Sequence, residues 1–244
     1  MAFLNEQLKL AYYPIPKVAC STLKGVMYEL ETGHKWKRTP ELAARGIRTL
    51  HQYHISKRFD PSDMDNPAQY WKFAVLRDPA SRIMSAYASK ILKKNSVAAE
   101  REKQSKNSGK GLWSSLGKRL RRAGDDLAKL PTHPSPDEFV YRLDEYRKHV
   151  NVIKTHTRPT RYYLGTDLGF FDRLFKLSEM DALRDELSRR AGREVAIKKK
   201  NAIPDEHKVG IDDLSKPAFD HLMARLDDEY TLLADHFPRP VQSR

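Results

Sequence analysis

The chain has 244 residues and a strong excess of positive charge, with 45 Lys and Arg against 32 Asp and Glu and a formal net charge of +13 at pH 7. This length predicts a single domain spanning 1–244 with a sizeable core, and the charge favours an anionic small molecule, an acidic glycan or nucleic acid as partner. The single cysteine excludes an internal disulfide. Since no run of roughly 18 apolar residues and no secretion signal is present, we expect a cytoplasmic protein.

The first informative feature is a loop between a predicted strand and a predicted helix. The apolar run from Leu8 to Ile15 predicts the strand, and the segment from Thr22 to Glu31 predicts the helix. Such a loop directs backbone N–H groups and the positive end of the helix dipole at one spot, which suits an anion. Lys17 adds a mobile positive charge, while Ser21 and Thr22 can cap the helix or donate from their hydroxyl groups.

The spacing in this loop argues against an ordinary ATPase or GTPase. In the G-x-x-x-x-G-K-[ST] loop of nucleoside triphosphatases the lysine follows the small residues, whereas Lys17 precedes them. Further along the chain, a strand is predicted from Arg48 to Ile55.

A second strand, turn and helix unit begins with the short apolar run from Trp71 to Leu76. Asp78 is a plausible N-cap with Pro79 at the first helical position, and the helix is predicted over Ser81 to Leu92. Because ligands bind beyond the carboxyl ends of parallel strands, Arg77 is expected to face the same crevice as the first loop. Two anion-holding loops at one sheet edge indicate a ligand with two phosphate-like groups.

The remaining elements alternate in a way that favours a parallel α/β sheet with helices on both faces. Further helices are predicted over Pro136 to Arg147, Asp181 to Ala191 and Pro217 to Ala234, with Ser135 at a capping position and Gly192 ending the helix before it. A late strand is predicted from Glu194 to Ile197.

The segment 93–135 breaks this pattern and reads as a basic insertion. It carries eleven basic and four acidic residues, and a mobile, solvated loop is one interpretation. The alternative is a basic amphipathic stretch around Trp113 and Leu120, which could hold an anionic polysaccharide or lie on an acidic membrane surface.

The two loops together resemble the motifs of sulfotransferases that use 3′-phosphoadenosine-5′-phosphosulfate (PAPS), in particular the carbohydrate sulfotransferases of the chondroitin and HNK-1 type. The first loop, from Pro16 to Lys24, is similar to that family's 5′-phosphosulfate loop, and the segment from Phe73 to Tyr87 to its 3′-phosphate element. Weaker similarities follow in the expected order, at Phe139-Val140, at His156 with Pro159, and from Asp172 to Leu177.

This resemblance implies a fold and a set of site residues. The implied fold is a three-layer parallel sheet flanked by helices, similar to that of P-loop nucleoside triphosphatases. The implied reaction moves a sulfuryl group from PAPS to a hydroxyl group, most simply of a carbohydrate, and needs no metal. Lys17 would stabilise the leaving oxygen, and Arg77 and Ser85 would hold the 3′-phosphate. The 5′ group would lie on the backbone N–H groups of Val18, Ala19, Cys20, Ser21 and Thr22, with Lys199 of a late basic run over the phosphates.

The general base is predicted to be His54, because its surroundings resemble the histidine pattern of uronyl 2-O-sulfotransferases. A positioned imidazole contributes about 10²–10⁴ to such a rate. His51 and His156 are the alternatives, although the Trp and Gln of the family's His-Trp-x-Pro-Gln version are missing after His156. His51-x-x-His54 has no partner cysteines, so the sequence predicts no metal site.

Two other functions compete with this interpretation. One is a P-loop-like nucleotide kinase, which the missing lysine spacing disfavours. The other is a non-enzymatic binder of acidic glycan or nucleic acid through the basic insertion. Nucleic acid is the less expected of these partners.

Overall fold

The computed structural model describes residues 2–107, 126–198 and 204–242. Within these ranges a four-stranded sheet forms the centre of the α/β arrangement, in the order β1 to β4. The strands are β1 (Phe3–Asn5), β2 (Leu10–Tyr13), β3 (Trp71–Leu76) and β4 (Arg173–Lys176). The strand predicted at Trp71 to Leu76 is confirmed, while the first predicted strand is shorter and is preceded by β1.

The sheet is mixed, so the expectation of a wholly parallel sheet is wrong at one edge. β2, β3 and β4 run parallel, but β1 pairs antiparallel with β2, with Phe3 opposite Tyr12. The reason is the short connection after Asn5, whose side-chain oxygen accepts a hydrogen bond from the Leu8 backbone N–H at 2.8 Å. A connection this short can only form a hairpin, because parallel neighbours need a long crossover.

Helices connect the strands and make up most of the remaining described structure. They are α1 (Cys20–Thr32), α2 (Pro40–Ala44), α3 (Leu50–Tyr53), α4 (Pro79–Tyr87), α5 (Ser96–Asn107), α6 (Pro136–Tyr141), α7 (Leu143–His149), α8 (Asn151–Thr157), α9 (Thr160–Leu164), α10 (Met180–Ala191), α11 (Lys216–Arg225) and α12 (Asp227–Leu232). A π-helical turn, Ala88–Leu92, continues α4.

Two predicted strands are wrong. The segment from Arg48 to Ile55 contains α3 instead, because Thr49 and Gln52 form a reciprocal capping box that satisfies the first N–H groups of a helix. The segment from Glu194 to Ile197 forms neither strand nor helix. Its Val195 backbone N–H donates to the Ser188 hydroxyl at 3.0 Å, which holds this segment to α10.

The predicted helix ends are partly confirmed. The Ser135 hydroxyl accepts from the backbone N–H of Glu138, and Gly192 adopts the left-handed conformation, φ 63°, that ends α10. The helices predicted over Pro136 to Arg147 and Pro217 to Ala234 are each divided, at Arg142 and at Leu226, where the backbone leaves the helical conformation.

The described residues form two compact units, and the chain passes from the first to the second between Asp78 and Pro79. Unit 1 comprises 1–78 and 159–202 and contains the sheet with α1, α2, α3, α9 and α10. β2 and nearly all of β3 are buried, with Leu10, Ala11 and Phe73 inaccessible to solvent. The single domain expected over 1–244 stays a prediction.

Unit 2 comprises 79–158 and 203–244 and is helical in its described part. Its core is built around Phe139, Tyr146 and Leu222. The predicted amphipathic stretch of the insertion lies mostly in 108–125, outside the described residues. Among the described residues, no helix is both long enough and apolar enough to cross a membrane.

Candidate functional site

The loop between β2 and α1 folds into a tight turn with two residues in the left-handed region. The Val18 backbone N–H donates to the Ile15 carbonyl at 3.4 Å, and Lys17 lies inside this turn with φ 69°. Ala19 follows with φ 48°. Each non-glycine residue in this region costs about 1–2 kcal/mol, so the loop carries backbone strain of the kind that accumulates at functional sites.

The N-terminus of α1 opens into this loop. The helix begins at Cys20, two residues before the predicted start, so Ser21 and Thr22 lie in its first turn and neither is the N-cap. The N-cap is Ala19, which has no side-chain oxygen to accept from the first N–H groups. No capping side chain therefore competes for these N–H groups. Both they and the dipole of this 13-residue helix favour an anion at this position.

Arg77 joins the second motif to the first. It follows β3 directly, and its Nη1 donates to the backbone carbonyl oxygen of Lys17 at 3.3 Å. The contact arises because β2 and β3 are parallel neighbours whose carboxyl ends reach the same edge of the sheet. The structure therefore brings Lys17 and Arg77 together, as the sequence predicts.

Among the candidate histidines, His51 contacts the loop. Its Nε2 lies 2.8 Å from the Ser21 hydroxyl oxygen, and both side chains are accessible to solvent. The capping box at Thr49 explains this position, because it starts α3 one residue before His51. An imidazole hydrogen-bonded to the loop can accept a proton from a hydroxyl group held nearby.

The imidazole of His54 lies against β1. Its ring stacks on Phe3 with centroids 4.4 Å apart. Its backbone carbonyl accepts a hydrogen bond from Lys24 Nζ at 2.7 Å, and the same ammonium donates to the Ser56 hydroxyl at 3.0 Å. The structure thus holds His54 by its ring and by its backbone.

Lys24 is a buried residue of this site that the sequence analysis missed. It is 1% exposed, and burial lowers the pKa of its ammonium group. Ser21 and Lys24 are three residues apart on α1, so they share one helix face and contact the segment that contains His51 and His54. The sequence signal for this residue is its spacing: Lys24 follows Ser21 by three residues, which places both side chains on one face of the predicted helix.

Three predicted site residues, Ser85, His156 and Lys199, are not among the described residues of unit 1. Ser85 is 4% exposed on α4 and belongs to unit 2, as does His156, whose Nδ1 lies 2.7 Å from the Val152 carbonyl oxygen. Lys199 lies outside the described residues. In the described ranges, no group of three or more His, Cys, Asp and Glu residues is arranged to hold a metal ion.

The sequence of the chain is similar to that of known sulfotransferases. A family model described as "Sulfotransferase family" matches residues 1–231. Carbohydrate sulfotransferase 11 of Rattus norvegicus is 28% identical over 160 residues, which cover 63% of this chain and 42% of that protein, and the Mus musculus protein gives the same values. The Danio rerio protein is 32% identical over 94 residues, 36% of this chain and 25% of its own length.

The match therefore spans less than half of the length of these curated relatives. The search of solved structures found no significant match.

Proposed function

Because the chain belongs to the sulfotransferase family, we propose that it transfers a sulfuryl group from PAPS to a hydroxyl group of a carbohydrate acceptor. The carbohydrate sulfotransferases among its relatives support the acceptor class. The PAPS donor has an anionic group at each end of its adenosine, and the net charge of +13 suits both this donor and an acidic acceptor.

The observation that supports this proposal most is the hydrogen bond from Arg77 to the Lys17 carbonyl. It joins the two anion-binding motifs at one sheet edge, as a ligand with two separated anionic groups requires.

In the proposed mechanism, an acceptor oxygen attacks sulfur in line while the bond from sulfur to the bridging phosphate oxygen breaks. The sulfuryl group moves to the acceptor, and 3′,5′-adenosine bisphosphate leaves with the negative charge. Lys17 stabilises this charge, and the N–H groups from Ala19 to Thr22 hold the 5′ group. The sequence also assigns Val18 to this role, but its N–H donates to the Ile15 carbonyl within the turn. Arg77 and Ser85 hold the 3′-phosphate, and Lys199 contributes from the late basic run.

The acceptor hydroxyl must lose its proton in this reaction, and the contact with Ser21 supports His51 as the general base. The proton moves from the acceptor oxygen to the imidazole as the new bond between oxygen and sulfur forms. The sequence pattern favours His54 as the base, and this stays a prediction. Measuring kcat of variants at His51 and at His54 distinguishes the two histidines.

The proposal extends to the fold and the location. Three adjacent parallel strands with a loop and helix after β2 support a P-loop-like, three-layer arrangement. Cytoplasmic location and peripheral contact with an acidic membrane stay predictions, as does weak or absent binding to nucleic acid.

The test is transfer of labelled sulfate from PAPS to unsulfated chondroitin by the wild type and by Lys17→Ala. We expect the variant to lose transfer by at least about 100-fold, the effect of removing one donor at a developing charge, with an unchanged circular dichroism spectrum. Lys9→Ala is the matched control, because Lys9 is an exposed lysine whose ion pair with Glu6 contributes little. Near-normal transfer by Lys17→Ala would contradict the proposal.

Protection experiments separate the competing functions. Adenosine bisphosphate should protect the protein from proteolysis, whereas protection by ATP and magnesium would favour a nucleotide kinase. Salt-dependent polyanion binding that survives Lys17→Ala, together with no transfer by the wild type, would favour a non-enzymatic binder.

A further inference from the structure

A buried ion pair joins α4 to α12 inside unit 2. Arg82 is 1% exposed and Glu229 is 5% exposed, and Arg82 Nη2 lies 3.5 Å from Glu229 Oε2. Leu226 and Leu233, one helical turn before and one after Glu229, are buried as well, so Glu229 is on the apolar side of this helix. Glutamate and arginine are almost never fully buried unless they are paired. The burial of each side chain therefore depends on the other.

The same two helices share a second contact. The Ala80 backbone N–H donates to the Tyr230 hydroxyl oxygen at 3.3 Å. Ala80 is in the first turn of α4, where the N–H groups have no partner within the helix. Since Tyr230 directly follows Glu229, two consecutive residues of α12 hold the beginning of α4.

Stability alone does not account for the ion pair. Arg82 Nη2 also donates to the Arg158 carbonyl oxygen at 2.7 Å, but Arg82 Nε and Nη1 are buried with no hydrogen-bond partner among the described residues. Buried donors without a partner lower the stability of a protein, and apolar side chains of similar volume often stabilise a core as well as a buried ion pair does. The pair therefore calls for an explanation beyond the stability of the fold.

The position of Arg82 on α4 suggests one. Arg82 is three residues before Ser85, to which the proposed function assigns the 3′-phosphate, and residues at this spacing are neighbours on a helix. A shift of α4 after loss of the contact with Glu229 would therefore move the Ser85 hydroxyl as well. Such a shift matters for binding, because a hydroxyl donor must lie within about 2.5–3.0 Å of its acceptor oxygen.

We propose that Glu229 is a positioning residue for the 3′-phosphate of the donor, acting on Ser85 through Arg82 and α4. This inference rests on the proposed function and adds to it a residue of α12. The positioning affects the 3′-phosphate and leaves the 5′ group alone. Its measure is therefore the preference of the protein for 3′,5′-adenosine bisphosphate over 5′-adenosine monophosphate, which lacks the 3′-phosphate.

The experiment measures the dissociation constants of the full chain for these two nucleotides by calorimetry and compares their ratio. The double variant Arg82→Met, Glu229→Met removes the ion pair without leaving an unpaired buried charge, so its urea midpoint should be at or above that of the wild type. We expect the preference for the bisphosphate to fall about tenfold, the effect of losing one hydrogen bond to a charged group. Affinity for the monophosphate should stay unchanged.

A second variant, Glu229→Asp, tests the same contact without changing any charge. The shorter side chain withdraws the carboxylate from Arg82, and we expect the preference to fall about threefold, as for a weakened hydrogen bond. The matched control is Asp227→Asn with Arg239→Gln, which removes an exposed ion pair that involves the same helix. We expect this control to keep the preference of the wild type.

Ser85→Ala provides the readout that a merely structural role would not move. In the wild type it should lower the preference about tenfold. In the double variant it should lower the preference by less than about twofold, because the contact of Ser85 with the 3′-phosphate is already lost and the two changes act through one interaction. Additive losses would overturn the positioning role.

The remaining outcomes separate the two proposals. A wild type with no preference for the bisphosphate would contradict the donor site and thus the proposed function itself. If the wild type shows the preference and Ser85→Ala loses it, but the double variant and Glu229→Asp keep it, the role of Glu229 is overturned and the proposed function stands. An equal loss in the control, or a loss that follows the urea midpoint, would also overturn that role, because it would indicate general destabilisation.

Discussion

Arg77 donates a hydrogen bond to the backbone carbonyl oxygen of Lys17 at 3.3 Å, across 60 positions of the chain. The bond joins the end of β3 to a loop in which Lys17 and Ala19 have positive φ. Arg77 therefore supports the strained loop with one nitrogen, and the proposed function assigns its guanidinium group a second task, binding a phosphate.

This double task predicts that Arg77→Lys weakens the donor site although the positive charge is kept. A lysine ammonium cannot contact the loop carbonyl and a phosphate with the same fork geometry. We expect the dissociation constant of adenosine bisphosphate to rise about tenfold, which corresponds to about 1.4 kcal/mol. Calorimetry measures this, with Arg173→Lys as an exposed control; an unchanged affinity would contradict the assignment of Arg77.

The contact between Ser21 and His51 predicts a catalytic difference between two neighbouring histidines. We expect His51→Gln to lower kcat by about 10²-fold or more, the contribution of a general base, with little change in donor affinity. His54→Gln should keep most of the activity, because the backbone carbonyl that accepts from Lys24 is retained. A large loss of kcat in His54→Gln alone would restore His54 as the base.

Lys24 is expected to act as a positioning residue. Replacement by Met keeps the chain length but removes the bonds to the His54 carbonyl and the Ser56 hydroxyl. Because a shift of about 1 Å in a catalytic group can cost about 10²-fold, we expect kcat to fall while donor affinity is unchanged.

Stability provides the control for the Lys24 variant. The desolvation penalty of the buried ammonium and the two lost hydrogen bonds oppose each other, so the free energy of unfolding should change by less than about 2 kcal/mol. A loss of kcat that is matched by a loss of folded protein would indicate a merely structural role.

Two buried tyrosines should respond oppositely to removal of the hydroxyl group. The Tyr12 hydroxyl has no hydrogen-bond partner within the described residues, whereas the Tyr87 hydroxyl donates to the Pro134 carbonyl at 2.8 Å. We expect Tyr12→Phe to raise the free energy of unfolding by about 1 kcal/mol and Tyr87→Phe to lower it by about 1 kcal/mol. Urea unfolding measures both, and a destabilised Tyr12→Phe would show that its hydroxyl has a partner.

Asp172 should make unit 1 sensitive to acid. Burial acts to raise the pKa of its carboxyl group, but hydrogen bonds from the Lys72 ammonium and backbone N–H outweigh this and lower it below the ordinary value of 3.8. The stabilisation is therefore present above pH 3.8 and is lost as the pH falls through the lowered pKa.

The corresponding variant is Asp172→Asn, which should lower the free energy of unfolding by about 1 kcal/mol at pH 7. The difference from the wild type should shrink as the pH falls below 3.8. Asp65→Asn, at an exposed position, should show neither effect. A difference that stays constant between pH 7 and pH 2.5 would contradict the linkage.

The sequence predicts those features that depend on a few neighbouring residues. The buried run of β3, the Ser135 cap and the left-handed Gly192 all follow from short-range hydrogen bonding and backbone conformation. The signal for α3 is equally local, because Thr49 and Gln52 form its capping box. The aromatic and β-branched residues in this segment nevertheless favour a strand by propensity alone, which is why a strand was predicted.

The sequence by itself determined that a turn and a helix follow each of β2 and β3, since each unit is specified by contiguous residues. Only the tertiary structure decided that Arg77 reaches the Lys17 carbonyl, that Lys24 is buried beneath the histidine segment, and that His51 meets Ser21. These contacts join residues 30 to 60 positions apart. They arise from strand pairing and from the packing of α3 against α1, which no local pattern of residues encodes.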